Sequence, residues 1–168
     1  MTRRIRALFT KTRAAKQRLD INEAIGEVVV LAGSEMRRNR VISQMELTAD
    51  LPPVTGDRVQ LQQVVLNLVL NGIEAMSTVE DYPRELVIRT QRSENDDEVR
   101  VAVQDSGIGL DPGSRERIFQ AFHTTKPGGL GLGLSISRSI VEAHGGRLWA
   151  VPNDHRGATF QFTFLKCE

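Results

Sequence analysis

The chain is poor in several residue types, and each shortage excludes a class of protein. Its 168 residues include one cysteine, Cys167, so no internal disulfide can form and a reducing compartment is indicated. No uninterrupted apolar run approaches the roughly 18 to 20 residues that a membrane-spanning helix needs. The N-terminus is basic but lacks the apolar region of a signal peptide. We therefore expect a cytoplasmic chain, whose longer parent protein could still be anchored in a membrane.

The chain also lacks a strong net charge. Its 22 Lys and Arg against 21 Asp and Glu give +1, so the whole molecule has no strong field for nucleic acid or membrane. Residues 1–18 are the exception, because they hold seven basic residues and no acid. We interpret this run as a solvated helix face, with a nucleic-acid or anionic-lipid contact as the alternative. The basic residues are Arg3, Arg4, Arg6, Lys11, Arg13, Lys16 and Arg18.

Glycine and proline are absent from residues 2–18, where good helix formers are common, so a helix is predicted there. Its apolar stripe is thin, and an isolated helix of this kind would need a partner to be stable. We expect residues 1–19 to form a basic helical segment. Residues 20–168 are long enough for one folded domain with its own core.

Three further segments have the apolar spacing of helices. Asp20 and Glu23 have the arrangement of a capping box at the start of the first. Asp57 begins the strongest pattern, a broad apolar face that continues to about Ser77. The third covers residues 132–143 and ends before a pair of glycines.

Five short runs have the composition of strands, and two of them flank a polar turn as in a hairpin. Together with three or four helices they predict an α+β fold. We expect a two-layer sandwich in which a mixed, mostly antiparallel sheet carries helices on one face. The predicted strands are Val41 to Leu51, Leu86 to Arg92, Val99 to Gln104, Arg147 to Val151 and Ala158 to Leu165.

Two carboxamides, Asn67 and Asn71, lie four residues apart on the strongest predicted helix and therefore share one face. A buried Asn costs free energy unless its amide is bonded, so the pair suggests a polar ligand. Mg²⁺ prefers oxygen ligands and keeps phosphate and water oxygens among them, so a carboxamide oxygen can bind it. Glu74 lies one turn beyond Asn71. The alternative is that both Asn side chains are structural polar groups.

Asp105 ends a predicted strand and is followed by Gly107 and Gly109. A carboxylate at a strand end can accept a hydrogen bond from an exocyclic amine, which would favour adenine over guanine. The glycines allow the backbone to approach a base closely. The alternative is an ordinary Asp-Ser-Gly turn.

A glycine-rich segment, Gly129 to Leu134, runs directly into the third predicted helix. The N–H groups and the dipole at a helix start favour phosphate oxygens, and Lys126 adds a mobile positive charge. The segment lacks the Gly-Lys-Ser/Thr of a Walker A loop, and no strand precedes it as in a dinucleotide fingerprint. Such dense glycines predict a lid that becomes ordered on nucleotide binding.

In this order the three blocks resemble the N, G1 and G2 boxes of the histidine-kinase ATP-binding domain. Residues 118–126, Ile-Phe-Gln-Ala-Phe-His-Thr-Thr-Lys, resemble its F box. The wider group includes gyrase-type topoisomerases, heat-shock chaperones and mismatch-repair ATPases, and the F box favours the kinase branch. The resemblance extends over residues 20–165 and implies the Bergerat ATP-binding fold, with ATP and Mg²⁺ bound.

The resemblance also implies a role for individual residues. Asn71 would bind Mg²⁺, and Asn71 and Lys126 would act in catalysis by holding the metal and offsetting charge. Asp105 would read adenine, and Thr159 would lie near it. The implied nucleotide contacts are Asn67, Asn71, Glu74, Asp105, Gly107, Ile108, Gly109, Thr124, Thr125, Lys126, Gly129, Gly131, Leu132, Gly133, Leu134 and Thr159.

The implied activity is transfer of a phosphoryl group from ATP to a His on a dimerisation domain, in relay with a response-regulator receiver domain. None of His123, His144 and His155 has the sequence context of an acceptor, so we expect the acceptor outside this chain. Residues 1–19 would be the tail of the dimerisation helix. We expect no nucleic-acid partner and no membrane contact by this fragment.

Three other functions stay open at this point. A hydrolysing ATPase of the chaperone or topoisomerase type would need a catalytic carboxylate on the N-box helix, for which Glu74 is a weak candidate. A non-catalytic module would hold nucleotide to regulate a partner. A serine kinase of the anti-sigma-factor type is related to the histidine kinases.

Overall fold

The computed structural model describes residues 16–94, 97–110, 117–119 and 133–167. Over these residues the chain forms a five-stranded sheet, a two-stranded sheet, three α-helices and a 3₁₀ turn at Arg117–Phe119. The helices are α1 (Ile21–Arg38), α2 (Arg58–Ala75) and α3 (Gly133–Ala143). The strands are β1 (Gln17–Leu19), β2 (Val41–Leu47), β3 (Val54–Gly56), β4 (Arg84–Arg92), β5 (Glu98–Gln104), β6 (Leu148–Pro152) and β7 (Ala158–Leu165).

The main sheet has the strand order β2-β4-β5-β7-β6. β2 runs parallel to β4, and the other neighbours are antiparallel, so the predicted mixed, mostly antiparallel sheet is confirmed. Alternate side chains of each central strand are fully buried beneath the helices, while those between them are half-buried or exposed. The core between sheet and helices includes Leu86, Ile88, Val101, Val103, Phe160 and Phe162.

Both long helices begin where the sequence predicts. Asp20 caps α1 by accepting from the Glu23 N–H at 3.2 Å, and Asp57 caps α2 by accepting from the Gln60 N–H at 3.1 Å. α2 is apolar on most sides and is correspondingly buried, which makes it the central helix of the layer. Among the described residues, no helix has the length and apolar character that crossing a membrane requires.

α1 and α2 are also joined by a polar contact at their solvent edge. The Gln62 amide and the Arg58 guanidinium both donate to the Glu27 carboxylate. These hydrogen bonds lower the pKa of Glu27 below its usual value. The contact therefore favours the ionised carboxylate and holds the two helices in register.

The first strand pair was not predicted. β1 pairs antiparallel with β3, so Gln17 and Arg18 lie in a strand, whereas the sequence predicts a helix as far as residue 18. Strand pairing and burial of Leu19 override helix propensity here, as tertiary contacts commonly do. The rest of that predicted helix lies outside the described residues.

β2 is shorter than predicted, since it ends at Leu47 and not at Leu51. Thr48 explains the end. Its backbone N–H donates to the Thr90 hydroxyl at 3.0 Å, and its own hydroxyl donates to the Thr90 carbonyl. Side-chain hydrogen bonds thus replace the backbone ladder, and the chain leaves the sheet.

His144 joins the end of α3 to the start of α2. It is 5% exposed and stacks on Phe164 with ring centroids 4.6 Å apart. Its Nε2 lies 3.1 Å from the backbone N of Asp57, and its Nδ1 lies 2.8 Å from the Ile140 carbonyl. Because a backbone N–H can only donate, Nε2 accepts and Nδ1–H donates. A neutral imidazole therefore holds three elements together.

We expect His144→Ala to lower the free energy of unfolding by roughly 2 to 4 kcal/mol. The substitution opens a cavity beside Phe164 and leaves the buried Asp57 N–H without an acceptor. Chemical denaturation followed by circular dichroism measures the change. His155→Ala removes an exposed imidazole and is the matched control, with an expected change within about 0.5 kcal/mol. Equal stability of the two variants would contradict this role of His144.

Candidate functional site

The candidate site is built on one side of α2. Most of this helix is buried, but Asn67 and Asn71 are half-buried and Glu74 is exposed. Their spacing of four and then three residues places them on one face. The predicted polar stripe therefore exists, on the side of α2 that the core does not cover.

Asn67 ties α2 to the first turn of α3. Its Nδ2 donates to the Gly133 carbonyl at 3.2 Å and to the Ser137 hydroxyl at 3.0 Å. Gly133 is the first residue of α3, and the first N–H groups of an α-helix have no partner within the helix. The Asn67 side chain thus fixes the predicted phosphate-binding helix end beside the polar stripe. Leu134, also predicted at the site, is half-buried and packs against the core.

Asp105 follows the last residue of β5 and is 3% exposed. Its Oδ1 accepts from the Gly107 N–H at 2.8 Å and from the Ala158 N–H at 3.3 Å. Its own backbone N–H donates to the Ala158 carbonyl at 3.0 Å. A buried carboxylate is costly unless it is hydrogen-bonded, so these two N–H groups both compensate burial and orient the side chain.

Gly72 allows α2 to lie directly against Asp105. A Cβ at Gly72 would be 2.8 Å from Leu86 Cδ1, 3.4 Å from Asp105 Cβ and 3.8 Å from Asp105 Oδ2. The nearest atom to such a Cβ is the mobile end of the Leu86 side chain, whereas the Asp105 atoms are at ordinary van der Waals distance, so the missing side chain of Gly72 eases the approach of α2. The carboxylate therefore faces the turn of α2 that carries Asn71.

The turn after Asp105 packs on the end of α2. The Ile108 N–H donates to the Ala75 carbonyl at 3.2 Å. A Cβ at Gly107 would lie 2.5 Å from the same carbonyl oxygen, so only glycine fits. Gly109 has a φ of +82°, a conformation that glycine adopts without steric cost. The Ile108 side chain is 74% exposed and lies at the rim of the site.

Thr159, which the resemblance placed near the base, is not brought to the Asp105 carboxylate. Its register partner is Gln104, so Ala158 is the β7 residue beside Asp105. Side chains of a strand alternate between faces, which directs Thr159 to the other face of the sheet. There its hydroxyl donates to Asn153 Oδ1.

Six other predicted site residues cannot be compared with this arrangement. They belong to the F-box segment and the glycine-rich segment. Thr124, Thr125, Lys126, Gly129, Gly131 and Leu132 lie outside the described residues.

An open cleft of about 560 Å³ lies on the outer face of the sheet, behind the turn at Asp105. Outer-face residues such as Glu85, Gln104 and Arg156 line it, together with Asn153. Asp105 and Ser106 also line this cleft, whereas Asn67 and Asn71 do not, so the cleft meets the candidate site at Asp105 and is separate from the polar stripe of α2. Asn153 gave no signal in the sequence, because asparagine is an ordinary turn residue.

The polar stripe and the carboxylate form two ends of one site. Asn67 marks the end at α3, and Gly72 marks the end at Asp105. Five residues of helix separate them, a rise of about 7.5 Å, which is suitable for a ligand with a base at one end and phosphates at the other.

The side chains at the polar stripe fit a magnesium ion that is held mainly by the phosphates of a bound nucleotide. Within the described ranges, no three His, Cys, Asp or Glu side chains are grouped closely enough to hold a metal themselves. Asn71 offers one neutral oxygen on the exposed side of α2, with Glu74 one turn away. An octahedral cation bound here would take its other oxygens from phosphates and water.

Comparison with known proteins shows the family of this chain. Residues 56–168 match the family described as histidine kinase-, DNA gyrase B-, and HSP90-like ATPase. The sensor protein FixL of Bradyrhizobium diazoefficiens is 42% identical over 161 residues, which are 96% of this chain and 31% of FixL. The chain thus spans about a third of the length of the curated relatives it matches.

Among solved structures, those of histidine kinases resemble this chain. The catalytic domain of the histidine kinase ThkA superposes with a TM-score of 0.79 at 34% identity, over 91% of this chain and 99% of that domain. ThkA in complex with the response regulator protein TrrA superposes with a TM-score of 0.77 at 31% identity, over 98% of this chain and 48% of the other. The chain belongs to the histidine kinase-, DNA gyrase B-, and HSP90-like ATPase family and is similar throughout to the catalytic domains of sensor histidine kinases.

Proposed function

We propose that this chain binds ATP with Mg²⁺ and transfers the γ-phosphoryl group to a His of a dimerisation domain in the parent kinase. One observation carries the proposal above the others. The buried Asp105 carboxylate is oriented by two N–H groups and lies against the turn of α2 that carries Asn71. This contact supports assigning base reading to Asp105 and metal binding to Asn71 on one surface.

Asp105 would accept a hydrogen bond from the exocyclic amine of adenine. A guanine would present a carbonyl oxygen at that edge, and a carboxylate cannot donate to it. Gly107 and Gly109 bring the backbone close to the base because neither has a Cβ. The base would therefore be selected at the Asp105 end of the site.

The triphosphate would extend along α2 toward Asn67 and the start of α3, where helix N–H groups favour phosphate oxygens. Asn71 would hold the magnesium ion, and Lys126 would add positive charge. When bound, the ion offsets the charge that develops on the phosphoryl oxygens. Asn67 would position the helix end, through its hydrogen bonds to Gly133 and Ser137.

In the transfer step an imidazole nitrogen of the acceptor attacks the γ-phosphorus, the bond to the bridging oxygen breaks, and ADP leaves. This chain would contribute position and electrostatic stabilisation, with no nucleophile of its own. His144 is unsuited as the acceptor because it is buried and hydrogen-bonded through both ring nitrogens. We propose a response-regulator receiver domain as the next partner, which the ThkA complex with TrrA supports.

Glu74 keeps a hydrolysing ATPase as the second candidate. Its side chain is exposed one turn from Asn71, where a carboxylate could activate water. Release of inorganic phosphate without any acceptor domain would favour hydrolysis. Phosphate found on a supplied dimerisation domain would favour the kinase.

We expect Asp105→Asn to weaken ATP binding by roughly 10- to 100-fold, since a donor replaces the acceptor that faces the base. Calorimetric titration of a non-hydrolysable ATP analogue measures the affinity. Titration of the GTP analogue reports whether the preference for adenine falls as well. Asn can still accept the two backbone N–H groups, so the fold should persist.

Asp97→Asn is the matched control for this titration. Asp97 is exposed and directly precedes β5 at the end away from Asp105, so the same change of charge is made beside the same strand. We expect its affinity to equal that of the unmodified chain. Equal binding by the Asp105 variant would contradict base reading by that carboxylate.

We expect Asn71→Ala to abolish the dependence of ATP binding on Mg²⁺ and to slow phosphotransfer by on the order of 100-fold. Radiolabelled ATP incubated with a His-bearing dimerisation domain measures the transfer. Gln44→Ala, on the exposed strand β2, serves as control. Transfer at the unmodified rate by the Asn71 variant would refute the assignment.

A further inference from the structure

We infer that Asn153 is a positioning residue for the base end of the site, holding the peptide after Asp105 so that the carboxylate faces the base. The inference rests on the proposed function, because it assigns a role at the same site. Asn153 lies in the turn between β6 and β7, outside every sequence block that resembles a nucleotide-binding motif. It acts through Asp105 and does not itself touch nucleotide.

The carboxamide of Asn153 joins the end of β5 to the β6–β7 turn. Nδ2 donates to the Asp105 carbonyl at 2.9 Å and to the Arg156 carbonyl at 3.0 Å. Oδ1 accepts from the Thr159 hydroxyl at 2.5 Å. The backbone N–H donates to the Gly157 carbonyl at 3.1 Å. Because both polar atoms of the carboxamide are bonded, the side chain is held in one orientation.

The bond to the Asp105 carbonyl fixes the peptide that leads into Ser106. Rotation of this peptide would redirect Ser106 and Gly107. The Gly107 N–H donates to Asp105 Oδ1, so such a rotation would remove one of the two donors that orient the carboxylate. Asn153 thus controls the side chain of Asp105 through the backbone.

Gly157 shows how closely the turn fits the strand end. Its φ is +84°, and a Cβ there would lie 2.1 Å from the Asp105 carbonyl oxygen. The same oxygen accepts from Asn153, so turn and strand end form one packed unit. Thr159 belongs to this unit because its hydroxyl donates to Asn153 and so orients the carboxamide.

Asn22 provides a natural comparison, because it makes the same kind of contacts far from the site. Its Nδ2 donates to the Thr48 carbonyl at 2.9 Å, and its Oδ1 accepts from the Thr90 hydroxyl at 2.9 Å. These bonds tie α1 to β2 and β4 at the end of the sheet away from Asp105. If Asn153 only stabilised the fold, the two asparagines would have equal effects on nucleotide binding.

The test is calorimetric titration of ATP and ADP into the unmodified chain, Asn153→Ala, Asn153→Asp and Asn22→Ala, with thermal unfolding of each. We expect Asn153→Ala to weaken both nucleotides by the same factor, roughly 5- to 10-fold, because both share the base. Asn22→Ala should lower the unfolding temperature and leave both affinities unchanged. Asn153→Asp is nearly isosteric but sets a carboxylate against the Asp105 carbonyl, so its loss should be at least as large.

Three results would overturn the inference. They are unchanged affinity in Asn153→Ala, an equal loss in Asn22→Ala, and recovery of affinity in Asn153→Asp. The first result would mean that Asn153 does not influence nucleotide binding through Asp105. The second would mean that the loss of affinity reflects lower stability of the fold. The third would mean that the Asn153 side chain matters only for packing.

Amide exchange of the Gly107 N–H in the nucleotide-free chain separates this inference from the proposed function. We expect faster exchange in Asn153→Ala and no change in Asn22→Ala. If the unmodified chain bound no adenine nucleotide, the proposed function would fail. Faster exchange would then still support positioning of Asp105, whereas unchanged exchange would overturn it.

Discussion

The close approach of α2 to the end of β5 is the contact on which the rest of the site depends. Gly72 lies at this contact, where a Cβ would be 3.4 Å from Asp105 Cβ. The approach brings together two features, each of which comes from a different element. α2 supplies a line of carboxamides on its uncovered side, and the sheet supplies a buried, oriented carboxylate. A Cβ at residue 72 would lie 2.8 Å from Leu86 Cδ1, so the Leu86 side chain would have to shift.

Three buried or half-buried polar side chains near the site each connect two or more elements. Asp105 joins β5 to β7, Asn67 joins α2 to α3, and His144 joins α3 to α2. A buried polar group is costly without its partners, so each of these side chains favours one relative placement of the elements it joins. Apolar packing brings the helices to the sheet, and these hydrogen bonds set where along it they lie.

Much of the fold and part of the site could be predicted from residues alone. Asp20 and Asp57 mark helix starts because a capping carboxylate is a local signal, and runs with the composition of strands mark β4, β5 and β7. The pair β1–β3 was missed because three-residue strands carry no periodicity. Thr159 was expected near the base, but its register with Gln104 directs it to the other face, and register depends on the partner strand. The role of Asn153 was not predicted because its side chain contacts the Asp105 carbonyl, which is distant in sequence.

The two ends of the site are anchored by different kinds of contact. At the proposed base end, Asp105 lies next to the β5–β7 ladder and is held by one backbone and one side-chain hydrogen bond to Ala158, by Gly107 and by the turn at Asn153. At the phosphate end, the start of α3 is held to α2 through the side chain of Asn67. A sheet ladder opens less readily than a side-chain contact between helices. Under the proposed function, the base would meet an acceptor that is already oriented. Nucleotide-dependent rearrangement is expected at the start of α3, because that end costs less to reorder.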